Sequence, residues 1–84
     1  MADQTAEPLP QKSVADLRYM LALMLGIDPD GPQAKAIMVV PMNDSWRAMS
    51  GRYDDPPDFR SAVIRRSIDL AQRYDLESWA ERNR

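Results

Sequence analysis

Between Ser13 and Gly26 the chain reads VADLRYMLALML, a run whose only charged residues are Asp16 and Arg18. On a helical wheel Val14, Leu17, Met20, Leu21, Met24 and Leu25 share one broad face, and Tyr19 and Leu23 fall on the other. A helix that is apolar around most of its circumference is usually buried around most of it. A chain of 84 residues has little interior to offer such a helix. Two arrangements resolve the conflict: the segment is the central helix of a small bundle, or part of it meets another chain. Its limits are legible. Ser13-x-x-Asp16 is a capping-box variant, and Gly26 is a natural stop.

The rest of the chain reads mainly as short helices. Residues 1–12 contain Pro8 and Pro10, which oppose a helix, and read as a flexible, disordered tail. DPDG at residues 28–31 is a turn, and Pro32 suits the first position of the next helix. QAKAIMVV follows and is read as a short helix. Its β-branched end also fits a strand, and with no other strand in view that strand would pair with a second chain. Asn43 or Asp44 caps a short helix containing Trp46 and Met49, ended by Gly51. Pro56 and Pro57 start a long helix that runs to about Tyr74, and Asp75 caps a terminal one. The expected fold is all-α, a small bundle of four to five short helices, with residues 13–84 forming a single helical domain behind the tail.

The long helix combines arginines with apolar stripes. Phe59, Val63, Leu70 and Tyr74 form one stripe, and Ile64, Ile68 and Ala71 a second beside it. Arg65, Arg66, Asp69 and Arg73 take the opposite face, where Asp69 lies four residues from both Arg65 and Arg73 and partly neutralises them. RSAVIRRSIDLAQ within this helix resembles the second helix of ribbon-helix-helix repressors and antitoxins. The resemblance covers residues 35–74. It implies that KAIMVVP is a strand pairing with its twin in a homodimer, that residues 44–51 are the first helix, and that the paired strands enter the DNA major groove. A DNA-binding transcriptional regulator is therefore the alternative functional reading.

Composition excludes more than it suggests. The chain has no cysteine and no histidine. Disulfide and thiolate chemistry are ruled out, and the commonest general base and neutral metal ligand are missing. No histidine stands ready to activate any serine. DPDGPQ begins like a calcium loop, but its glycine is fourth rather than sixth and no glutamate closes the loop at twelve. Residues 46–84 carry eight arginines against seven acids, so the arginine-rich half is not strongly basic. No cofactor or metal is expected, nor an enzyme. The N-terminus is unlike a signal peptide and no apolar run spans a bilayer, so a cytoplasmic protein with no membrane partner is expected.

What remains is an apolar surplus. The expectation is a non-catalytic protein-interaction module that binds a larger protein or self-associates. Leu17, Met20, Leu21 and Met24 supply an apolar patch, Trp46 and Trp79 are anchors, and Arg65, Arg66 and Arg73 form the rim. Size and absence of chemistry fit a phage-encoded inhibitor, anti-CRISPR proteins among them, or an accessory subunit.

Overall fold

The computed structural model describes residues 9–43 and 45–77. Its first helix, α1 (Val14–Leu25), has the limits expected from the sequence. Ser13 is extended, and its Oγ accepts a hydrogen bond from the Asp16 N–H at 3.1 Å. Gly26 adopts φ 73°, a left-handed conformation that glycine reaches without steric cost. The Ile27 N–H then donates to the Ala22 carbonyl at 3.0 Å and the Gly26 N–H to that of Leu23 at 3.2 Å, the Schellman closure. Leu17, Leu21 and Ala22 are fully buried, whereas Tyr19 and Leu23 face solvent. Beyond the turn, in which the Asp28 carboxylate accepts from the Asp30 N–H, Pro32 opens a single helical turn, α2 (Pro32–Lys35).

The all-α expectation fails at the next step. The chain has a mixed α/β fold, with three helices and two small two-stranded sheets among the described residues. Residues 38–42 are strand β2 (Met38–Met42), and the segment expected to be a helix around Trp46 is strand β3 (Ser45–Met49). The two form an antiparallel hairpin in which Met42 faces Ser45, Val40 faces Arg47 and Met38 faces Met49. Asn43 does not cap a helix. It adopts φ 52° in a two-residue hairpin connection, the conformation such turns require and asparagine tolerates. SWRAM alternates as a half-buried strand should: Trp46 and Ala48 are buried, and Ser45, Arg47 and Met49 alternate with them. The partner strand is therefore intramolecular. The strand–helix–helix order implied by the resemblance to ribbon-helix-helix proteins is not formed, because β3 occupies the place of the first helix.

The hairpin's edges are blunted. With Met42 and Ser45 closing the turn as a hydrogen-bonded pair, residues 37, 39 and 41 direct their backbone groups away from β3. Pro41 has no N–H to offer there, the edge position at which a strand tolerates proline. Arg18 Nε donates to the outward Ile37 carbonyl at 3.0 Å. On the β3 side, Arg47 Nη1 donates to the Trp46 carbonyl at 2.7 Å. An edge with missing or occupied groups is a poor template for a further strand.

The second long helix, α3 (Pro57–Ala71), starts at the prolines as expected. Val63, Ser67 and Leu70 are its buried residues, and Phe59, Ala71 and Tyr74 pack beside them. Ser67 is tolerated in the core because its hydroxyl donates to the Ile64 carbonyl at 2.6 Å. Ile64 and Ile68, read with Ala71 as a second apolar stripe, are exposed. The helix lies against β3 and α1, and α1 also touches β2, so helices cover one face of the hairpin. Trp46 fills the junction, and its Nε1 donates to the Tyr74 carbonyl at 2.9 Å. Strand β1 (Gln11–Lys12) pairs in parallel with β4 (Asp75–Leu76), which fastens the two ends of the described chain together. Gln11 and Lys12 thus belong to the fold rather than to a tail, and Asp75 lies in a strand rather than capping a helix.

Candidate interaction surface

The residues expected to bind a partner do not form one surface. Leu17, Leu21 and Trp46 are fully buried, so they are core and unavailable to another protein. Met20 is half-buried against that core, and Met24 is only marginally exposed. Arg65, Arg66 and Arg73 are exposed, and Arg66 approaches Asp69 at 3.5 Å. Trp79 lies outside the described residues. The physical reason for the correction is stoichiometric: the core of a small domain takes its largest apolar side chains first, and Trp46 and the two leucines are among them.

The apolar surface that remains lies elsewhere. Residues 38, 40 and 42 of β2 and 45, 47 and 49 of β3 share the hairpin face opposite Trp46 and Ala48. On it Met38, Met42 and Met49 are 46%, 47% and 43% exposed. Val40 lies between them, directly across from Arg47. The strand signal that would have found this face was the alternation in SWRAM read together with MVV, which the competing helix reading masked. A smaller apolar area, Tyr19 and Leu23, lies on the outside of α1.

A cleft of about 460 Å³ opens between the α2 region and the loop before α3, lined among others by Ile27, Pro32, Gln33, Arg52 and Asp55. Its polar groups are committed to holding the loop. Asp55 is 8% exposed, and its carboxylate accepts from the Ser50 hydroxyl and from Gln33 Nε2, the latter at 3.4 Å. Arg60 donates to the carbonyls of Asp55 and Arg52 at 3.1 and 2.6 Å. Arg52 grips Asp54 with two bonds of 3.1 Å, and this hydrogen bonding holds the Asp54 carboxyl below its ordinary range. Tyr53, almost wholly exposed, stands beside this pair. Among the described residues no group of acidic side chains is arranged to hold a metal ion, and no helix is long and apolar enough to cross a membrane.

Comparison of the chain with known protein families, curated proteins and solved structures finds no match.

Proposed function

We propose that this chain is a non-catalytic protein-interaction module, acting as a small inhibitor or an accessory subunit of a larger protein. The observation that supports it most is the outer face of the hairpin. A two-stranded sheet normally hides its apolar residues on one side and presents polar ones on the other. Here the solvent side carries three methionines and a valine around one arginine. Methionine and arginine are enriched in interface cores, and methionine adapts to irregular partner surfaces. The polar groups of the cleft are engaged with one another, which favours a structural role for it over a catalytic one. The test is capture with the tagged full chain, identification of the captured protein, and reconstitution from purified components. A saturable complex is expected. Failure of every captured protein to form one, or turnover of a substrate by the purified chain, would overturn the reading.

A further inference from the structure

We infer that β1 is a detachable strap: it leaves β4 while the rest of the fold stays in place, and the vacated edge of β4 takes an extended, cation-bearing segment of a partner protein. The inference rests on the interaction-module reading and adds to it a second contact, regulated by the chain's own first strand.

The two strands of this small sheet are held unequally. β4 is anchored in the domain without help from β1. Tyr74, just before it, and Leu76 pack against the core, and the Tyr74 carbonyl accepts from the Trp46 indole. Among the described residues β1 contributes nothing to the core cluster. Pro10 and Gln11 are exposed, and Leu9 and Lys12 are half-buried. A short ladder and one cation–π contact hold β1. The Asp75 N–H donates to the Pro10 carbonyl at 2.9 Å and the Glu77 N–H to the Lys12 carbonyl at 3.0 Å. The parallel register turns the Lys12 N–H towards the Asp75 carbonyl. The Lys12 ammonium lies 5.4 Å from the centre of the Tyr74 ring. A segment with so little buried apolar area opens locally, well short of global unfolding.

β1 also displays what the edge accepts. An incoming segment runs parallel to β4 and offers carbonyls at the places of Pro10 and Lys12. It needs no N–H at the place of Pro10, since proline has none. It carries a lysine or arginine over the Tyr74 ring. Strand addition of this kind is a recurring mode of peptide recognition. The hairpin is a poorer template, because Pro41 lacks an outward N–H and Arg18 and Arg47 occupy outward carbonyls. The β1 of a second copy is a poor occupant. Only Ser13 separates β1 from α1, so exchange between two copies would bring two α1 N-termini together. The partial positive charges of those ends repel. A segment of a different protein is free of that constraint. It has to outcompete a strap tethered at a roughly millimolar effective concentration, which makes β1 an autoinhibitory contact.

The experiment measures amide exchange and peptide binding by NMR on the full chain. In the wild type, protection factors of the Asp75 and Glu77 amides should be roughly tenfold or more below that of the Trp46 indole N–H, which reports β4 in place. The probe is a capped peptide LPQKS, the sequence of residues 9–13. It should protect Asp75 and Glu77 in Lys12→Pro, whose own strap lacks the ladder N–H and the ammonium. It should bind the wild type more weakly, because the resident strap competes. With glutamate in place of the peptide's lysine, affinity should fall at least about two- to fivefold, the loss of an exposed cation–π contact. Equal protection of the two amides and the indole in the wild type means that β1 opens only with the whole domain, and overturns the proposal. Failure of the peptide to bind Lys12→Pro while the indole stays protected also overturns it. If Lys12→Pro loses indole protection, Lys12→Glu takes its place under the same two outcomes. Concentration-dependent dimerisation of the chain abolished by Lys12→Pro overturns the proposal in favour of exchange between copies. The module reading survives each of these failures, since partner capture decides it separately.

Discussion

Trp46 separates a core residue from a binding anchor, and replacing it distinguishes the two roles quantitatively. The side chain is fully buried and donates its indole N–H to the Tyr74 carbonyl at 2.9 Å. Trp46→Phe keeps most of the apolar volume but leaves that carbonyl without its donor, a loss of about 1–3 kcal/mol. Trp46→Ala removes the volume as well, and large aromatic truncations in cores cost about 3–5 kcal/mol. A chain of 84 residues has a total stability of only about 4–13 kcal/mol at 0.05–0.15 kcal/mol per residue. The alanine variant should therefore lose a large share of its stability, and the phenylalanine variant should fall between it and the wild type. Urea unfolding followed by far-UV circular dichroism gives both values, provided the slope with denaturant is unchanged. An alanine variant within about 0.5 kcal/mol of wild type, the range of ordinary surface substitutions, would refute the burial of Trp46.

Other positions are equally open to test. A Cβ at Gly51 would collide with the Ala36 carbonyl oxygen, a backbone atom that cannot swing aside; Gly51→Ala should cost about 1–3 kcal/mol in the same urea assay, as overpacking does. Pro41→Val restores an outward N–H to the edge of β2, and sedimentation velocity should then show more concentration-dependent association than in the wild type. Asp54 is held below its ordinary pKa by its hydrogen bonds to Arg52, so the pair's contribution is present at neutral pH and is lost as pH falls through that depressed value. Because both side chains are exposed, the midpoint of acid unfolding should barely move in Asp54→Asn, while the carboxyl carbon of Asp54 should titrate by NMR below the usual aspartate range.

Features that depend on near neighbours in sequence were legible without the structure. Ser13 and Gly26 bound α1 because capping is decided within a few residues, and Pro56 and Pro57 at the start of α3 act the same way. The wheel also separated Tyr19 and Leu23 from the broad apolar face of α1, although burial around most of the helix was expected and both are exposed. The hairpin was not legible, for physical reasons. Five residues contain too few periods to separate strand from helix: Trp46 and Met49 are spaced as one helical face, yet Trp46 and Ala48 are the inward positions of a strand. Asn43 is ambiguous in the same way, since asparagine both caps helices and tolerates the φ of 52° found here. The surface site inherited that error. Reading β2 as a helix hid the common face of Met38, Val40 and Met42, and the largest apolar residues, Trp46 and Leu17 among them, went to the core. Ser67 shows the converse, a polar residue made fit for burial by a backbone acceptor three residues earlier.

The most direct test of the hairpin and its open face is a nuclear Overhauser and paramagnetic-relaxation experiment on the full chain. The Val39/Ala48 and Pro41/Trp46 pairs lie at the non-hydrogen-bonded positions, where facing Cα atoms come within about 4.5 Å. Strong α-proton contacts should join both pairs within one molecule, and a soluble paramagnetic agent should broaden the methyl groups of Met38, Met42 and Met49. Helical contacts across residues 45–49, or methionine methyls protected from the agent in the free chain, would contradict both the fold and the surface built on it.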